Sequence, residues 1–350
     1  MLLLIHKMER KGWEERLLIR QEDIAKKLNI SRTTVARALN GTGSVNEETK
    51  EKVLKACEEL GYKRNPISSS LALKKKKNIY AFIVKAKNNY YTDDIKLGFQ
   101  KAQGEFKFYK YQLNIIETDI DSPRDQLDEL KGVIDKGDID GVIITPLLKE
   151  EIKLLKRNNP NIFFIALDLP LDNVTFNIYS NYYKSGRLTA ELLQNVLNQG
   201  EEILLIDTED DRISSKPYYY GFYEKITEDN ICKIANIVYQ SDLKNNIGKV
   251  IKDNLTDNVK AIYSSRFLVD IVEYVIKNTD RKLKIVANGL SDNTKKLIES
   301  NNIIATVKEK YKELGYISAK VMFEHLYKDI KPKHINIELE SEIILKENLN

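Results

Sequence analysis

The residues best suited to chemistry crowd one short stretch: Ser31, Arg32, Thr33, Thr34, Arg37 and Asn40. Their chemistry is hydrogen bonding. An arginine can pair in a bidentate way with the O6 and N7 of guanine, and a threonine can touch a thymine methyl group or an acceptor. A DNA major groove admits one α-helix, whose first residues reach the base edges. Arg32, Thr33 and Arg37 fall on a helical run where they can face DNA. The competing reading is a helix surface of ordinary exposed polar side chains.

Elsewhere reactive groups are sparse. Cys57 and Cys232 are the only cysteines, and His6, His325 and His334 the only histidines. None has metal-ligand spacing, so no metal is expected, and two distant cysteines fit a reducing cytoplasm rather than a disulfide scaffold. There is no Gly-x-Gly-x-x-Gly, no Gly-x-x-x-x-Gly-Lys-Ser/Thr and no Gly-x-Ser-x-Gly segment, so no cofactor and no enzymatic activity are expected. The acidic loop Asp207–Asp211 reads as solvated rather than as a metal site.

The elements that must position the polar stretch are short helices. Ile24, Ala25 and Leu28 space one apolar face, and Asn29-Ile30-Ser31 reads as a tight turn with Ser31 as N-cap of the next helix. Thr34, Val35, Ala38 and Leu39 continue that helix to Asn40-Gly41. Asn46 caps a third, with Glu47 and Glu48 in its first turn and Val53, Leu54, Cys57 and Leu60 as its apolar face, ended by Gly61. Three short helices with a tight turn between the first two match a helix-turn-helix unit. Pro66 opens one further short helix over residues 67–73, and Lys74–Lys77 read as an exposed linker.

Charge is divided to match. Residues 1–77 hold 18 Lys and Arg against 10 Asp and Glu, a net of +8. Since the whole chain carries 56 and 52, residues 78–350 hold 38 and 42, a net of −4. A basic head on a slightly acidic body is the asymmetry of a nucleic-acid binder. With 350 residues, 42% hydrophobic and 31% charged, two or three compact units are expected. No apolar run approaches the roughly 20 residues of a membrane span, and Met1–Ile5 lacks the flanks of a secretory signal.

Beyond Asn78 short apolar runs alternate with amphipathic helices: strands near 80–84, 112–117, 141–145, 162–167, 202–206, 234–239, 260–264, 283–287 and 303–307, a last one at 335–345, and helices between most of them. This predicts parallel sheets with helices on both faces, arranged as two similar lobes with a cleft between them.

The stretch Asp23–Gly41 (DIAKKLNISRTTVARALNG) closely resembles the lactose-repressor (LacI/GalR) family of bacterial regulators, and Val45–Tyr62 continues the likeness. Asn65–Ala72 (NPISSSLA) resembles that family's hinge segment, and Ser180–Arg187 and Thr306–Gly315 are looser markers in the body. The resemblance implies an all-α helix-turn-helix head and a two-lobed α/β body like the type I periplasmic sugar-binding proteins. It places Arg32 and Thr33 at the two main base-reading positions and Arg37 in contact range. Ser31, Thr34 and Asn40 become phosphate contacts. In the hinge, Ser68, Leu71 and Ala72 approach the minor groove, where the Leu71 side chain pries open a base step.

For the body the resemblance implies an effector site of Asn89, Tyr91, Asp168, Lys216, Ser265, Asn288 and Glu309. An aromatic face suits a sugar's apolar side, and carboxylate, amide and ammonium groups suit its hydroxyls. Several positions depart from the family pattern: Leu169, Lys216, Ser265-Arg266, Asn288-Gly289 and Glu309. Lys216 and Arg266 point toward a phosphorylated or acidic sugar. The aromatic run Pro217–Tyr223 reads as partly helix core, to which Phe222 is assigned, and partly cleft wall.

The expected organisation is an extension at 1–19, a DNA-binding head at 20–64, a hinge and linker at 65–77, and a body at 78–350. Lobe 1 takes about 78–179 and 306–332, and lobe 2 about 180–305 and 333–350. One helix-turn-helix reads a half-site, so a homodimer on pseudo-palindromic double-stranded DNA is expected. Lys346–Asn350 holds no leucine heptad and no coiled-coil tail. The rivals are an α/β enzyme, an exported solute receptor and a regulator whose sensing lobes have lost their ligand.

Overall fold

The computed structural model describes residues 19–40, 45–62, 77–85, 90–209, 214–332 and 334–349. It divides into two units, residues 1–75 and 76–350. The expected hinge helix, with Ser68, Leu71 and Ala72, lies outside the described residues, as do Asn89 and the side chain of Asn40.

In the first unit, α1 (Gln21–Leu28) ends on Asn29 in the left-handed conformation, φ 51°. That residue lets the chain turn sharply into α2 (Arg32–Asn40). The Ser31 hydroxyl accepts a hydrogen bond from the Thr34 backbone N–H at 3.0 Å, satisfying one of the free donors at the start of α2. α3 (Glu47–Leu60) is capped in the same way by Asn46, which accepts from the Thr49 N–H at 2.8 Å. The three helices close on a small core of Ile24, Ala25, Val35, Ala38, Val53 and Ala56, with Leu28, Leu39, Cys57 and Leu60 packed around it. Leu54 is 47% exposed, so α3 turns Ala56 rather than Leu54 to the core. Leu54 follows Val53 by one residue, about 100° around the helix, which swings it off the buried face.

In the second unit, lobe 1 is a wholly parallel six-stranded sheet, order β11-β5-β4-β3-β1-β2. Its strands are β1 (Ile79–Lys85), β2 (Asn114–Asp119), β3 (Gly141–Ile144), β4 (Phe163–Asp168), β5 (Phe176–Ser180) and β11 (Asn336–Leu339). α4 (Tyr90–Glu105), α5 (Pro123–Asp135), α6 (Lys149–Asn158) and α12 (Tyr311–Lys328) accompany it. Lobe 2 holds β6 (Glu202–Asp207), β7 (Lys233–Tyr239) and β8 (Val259–Ser264) in the order β7-β6-β8, and β9 (Val286–Asn288), β10 (Ala305–Lys308) and β12 (Glu342–Ile344) in the order β12-β10-β9. A parallel bridge between Ala261 and Lys284 links the two triplets, and β12 runs antiparallel to β10. α7 (Tyr182–Gln194), α8 (Ser215–Asp229), α9 (Leu243–Asn254), α10 (Leu268–Asn278) and α11 (Asp292–Glu299) belong to this lobe.

The chain crosses between lobes at 180–182, 308–311 and 339–342. Two expected boundaries therefore move. Residues 306–308 lie in β10 and pair within lobe 2, and 336–339 lie in β11 and pair with β5 of lobe 1. The single strand expected at 335–345 is two strands, because each half hydrogen-bonds to a different sheet. β5 itself was not expected. Lys77, read as linker, ion-pairs with Asp140 at 2.8 Å.

Glycines set how closely two helix pairs approach. On α4 and α12, Gly98 faces the Lys312 carbonyl and Gly315 faces the Ile95 carbonyl, each so near that a Cβ would fall well under 3.0 Å from backbone. On α7 and α8, Gly186 and Gly221 meet the backbone of Tyr218 and Tyr183 in the same way. These contacts set the close spacing of α4 against α12 and of α7 against α8.

Candidate functional site

On the head, the α2 surface carries three exposed side chains, Arg32, Thr33 and Arg37, on a helix whose other face holds Val35 and Ala38 in the core. Arg32 pairs only loosely with Glu22, at 3.5 Å with both side chains more than half exposed, and such a pair costs little to break. Thr34 is half-buried and its hydroxyl lies 2.8 Å from that of Ser31. Both residues are therefore engaged in capping, whatever else they touch.

In the body, the sequence-selected residues Asp168, Tyr91 and Glu309 come together; Lys216 and Asn288 are engaged elsewhere. Asp168 ends β4 and is 3% exposed. Its φ is 64°, and the Leu169 N–H donates to the Leu167 carbonyl at 2.7 Å across it. A non-glycine residue at the centre of such a tight positive-φ turn is strained, and strain of this kind collects at functional sites. The Tyr91 hydroxyl donates to its carboxylate at 3.0 Å and that of Tyr182 at 2.7 Å. Burial nevertheless pushes the Asp168 carboxyl up to about 6, against the lowering effect of the Tyr182, Tyr91 and Ser180 hydrogen bonds.

Glu309, on the 308–311 crossing, is also 3% exposed, and burial pushes it up to about 7. The Tyr311 hydroxyl donates to its Oε2 at 3.4 Å, and Tyr218 and Ser185 also act to lower its pKa. Its Oε1 is enclosed with no hydrogen-bond partner among the described residues. The Ser180 Oγ, at the carboxyl end of β5, is enclosed without a partner in the same sense, and the Thr145 hydroxyl after β3 lies beside Tyr91. Tyrosines wall this polar floor: Tyr91 and Tyr311 meet edge to face with centroids 4.7 Å apart, Tyr182 and Tyr218 at 5.3 Å. Burial raises all four phenols well above their ordinary range, so they stay protonated donors.

Lys216 ion-pairs with Asp207 at 2.7 Å, which corrects the reading of Asp207 as a solvated carboxylate. Asn288 spends both ends of its amide inside lobe 2, accepting from Tyr263 at 2.6 Å and donating to Thr189 at 2.8 Å. Ser265 is half-buried on the turn before α10, and the Arg266 guanidinium lies over the Phe267 ring at 4.3 Å. Beside Asn288, Gly289 has φ 80°, and a Cβ there would come within 3.2 Å of the Tyr90 hydroxyl, so the start of α4 in lobe 1 abuts lobe 2 at this point. Phe222 stacks on Tyr263 in the lobe 2 core, as expected. Tyr218 falls in the aromatic run expected to be partly cleft wall, whereas Tyr182 and Tyr311 are not singled out by the sequence. Their signal is an aromatic in the first turn of a helix entering the cleft.

Among the described residues no group of His, Cys, Asp and Glu could hold a metal ion, and no helix is long and apolar enough to cross a membrane.

Comparison with known proteins agrees with this architecture. The profile of the bacterial regulatory proteins of the lacI family matches residues 22–65, and that of the periplasmic binding protein domain matches 80–329. The HTH-type transcriptional regulator RegA of Clostridium saccharobutylicum is 28% identical over 229 residues, covering 64% of this chain but only 65% of its own length, less than two thirds of that relative. A LacI-family transcriptional regulator from Silicibacter pomeroyi has a similar structure, with TM-score 0.61, 18% identity and coverage of 93% of this chain and 98% of its own. So does the glucose-galactose binding protein GanP of Geobacillus stearothermophilus, with TM-score 0.62, 18% identity and coverage of 79% and 99%. The chain belongs, through residues 80–329, to the periplasmic binding protein domain family, and its head, residues 22–65, is similar to the bacterial regulatory proteins of the lacI family.

Proposed function

We propose that the chain is a sequence-specific DNA-binding transcriptional regulator, a repressor, that binds a pseudo-palindromic operator as a homodimer and is controlled by a small sugar-like effector held between the lobes of its body. The observation that carries the DNA-binding half is the α2 surface, where Arg32, Thr33 and Arg37 are exposed on a helix capped and buried on its opposite face. Base reading needs side chains that are presented rigidly yet free to pair, and this helix supplies both. Thr34, Ser31 and Asn40 are assigned to phosphates, and Ser68, Leu71 and Ala72 to the minor groove.

The sensing half is supported by the strained, buried Asp168, by Glu309 on a crossing between lobes, and by the enclosed oxygens of Glu309 and Ser180 that have no partner among the described residues. A ligand that fills these groups in one lobe arrangement better than in another shifts the balance between arrangements. Asn89 stays in this proposal, with Tyr91. The tests of the DNA-binding half are direct. Arg32→Ala is expected to weaken specific binding by about 1–3 kcal/mol while binding to random DNA barely changes. Equal loss on both would remove Arg32 from the reading of bases.

A further inference from the structure

Among the described residues, the cleft holds two carboxylates and no cation paired with either. Asp168 and Glu309 are each 3% exposed, and among the described residues no ammonium or guanidinium group lies within ion-pair distance of either. The cation from the sequence that looked available, Lys216, is already paired with Asp207. Hydrogen bonds from Tyr91, Tyr182 and Tyr311 soften the burial of the two acids, but phenols are neutral and leave the Glu309 Oε1 without a partner. The starts of α4, α7 and α12 contribute partial positive charge near these groups, on the order of half a charge each and confined to the first turn. Burying an unpaired charge is among the costliest arrangements a fold can hold. A site of this kind is completed by a proton or by a cation.

The walls favour the cation. Tyr91 and Tyr311 from lobe 1, and Tyr182 and Tyr218 from lobe 2, enclose the acids as two edge-to-face pairs. Carboxylates enclosed among neutral phenols are a setting in which an ammonium group binds well, because the carboxylates accept its hydrogen bonds. A phosphate or a sugar acid meets no ammonium or guanidinium partner here among the described residues and adds negative charge beside two carboxyl groups. The Ser180 hydroxyl, enclosed and without a partner among the described residues, remains to meet an uncharged polar group of the same ligand.

We propose that the effector carries a protonated amine, seated between Asp168 and Glu309 against the tyrosine walls: an amino sugar or another amine-bearing polyol, and not a phosphorylated or acidic sugar. This rests on the sensing role proposed above and narrows it. Because both acids are half protonated or more near pH 6 when the cleft is empty, binding a cation there drives protons off and strengthens as pH rises toward 8.

The test uses the full chain and matched probes: 2-amino-2-deoxyhexoses and alkanolamines, the parent hexoses and diols, and hexose 6-phosphates, each at up to 10 mM, read by thermal shift and titration calorimetry. The expected result is stabilisation in the amine arm, at least tenfold tighter than the matched hydroxyl compound and at least tenfold tighter at pH 8 than at pH 5.5. Glu309→Gln is expected to reduce the preference for amine over hydroxyl at least fivefold. The pH comparison on the unaltered protein stands even where that variant folds poorly. Stabilisation confined to neutral or phosphorylated sugars overturns the amine and leaves the sensing role intact. No stabilisation in any arm overturns both.

Discussion

At the scale of single residues, Asp168 joins near-complete burial to a strained, positive-φ backbone. Its carboxylate closes a positive-φ turn, and two tyrosines from separate helices donate to it. A residue placed only to cap a turn would not need a phenol from each lobe. Asp168→Ala is expected to abolish the change in operator affinity that the effector causes, while affinity without effector stays within about twofold. The loss follows because each hydrogen bond to a charged group contributes roughly 1.5–3 kcal/mol, enough to remove binding at ordinary concentrations. A variant that still switches at the wild-type ligand midpoint would show that Asp168 lies outside the site. The sequence placed Asp168 and Glu309 only through the family pattern, and it could not show that they share one enclosure. Lys216 and Asn288 were chosen on the same grounds, yet each is satisfied within lobe 2. Residue type is legible in a sequence; the neighbour that has already claimed its hydrogen bonds is not.

At the scale of elements, the alternation of apolar runs and amphipathic helices was readable because parallel strands buried on both faces give continuous apolar segments. β5 escaped because its five residues, Phe176–Ser180, alternate Asn and Ser with aromatic and aliphatic side chains and resemble a loop edge. The double strand at the end of the chain escaped because an unbroken run of alternating residues gives no sign that its halves pair with different sheets. Tyr182 and Tyr311 were hidden in helix starts, where an aromatic ordinarily reads as core. Helix proximity is carried by glycines with a testable consequence. Gly98→Ala or Gly315→Ala is expected to destabilise the body by about 1–3 kcal/mol in denaturant unfolding, since the new methyl group meets backbone and not a movable side chain. Gly104, on the same α4 with open space around it, is the control: alanine there is expected to be neutral or to stabilise by up to about 1 kcal/mol. Equal effects at Gly98 and Gly104 would mean that the α4–α12 approach is not set by glycine.

At the scale of the whole molecule, a basic head suited to meeting phosphate is joined to a weakly acidic body that holds buried acids. The cleft acids also link stability to pH. Both have folded pKa values raised above their ordinary ones by burial, so the folded state favours their protonated forms. Their contribution is therefore fully present at low pH and is lost as pH rises through about 6 and 7. Without ligand, the melting temperature of the body is expected to fall between pH 5.5 and 8, and the fall is expected to be shallower in Asp168→Asn and Glu309→Gln. Identical slopes in all three proteins would mean that these carboxyls are not held protonated by the fold.

The central claim is that the head reads a specific two-fold sequence. In vitro selection by the full chain from a random double-stranded DNA library tests it most directly. The account expects enrichment of a pseudo-palindrome whose half-sites depend on Arg32 and Thr33, with positions in the motif changing when either residue is replaced. Recovery of unenriched sequence, or of a motif that is unchanged in Arg32→Ala and Thr33→Ala, would contradict it.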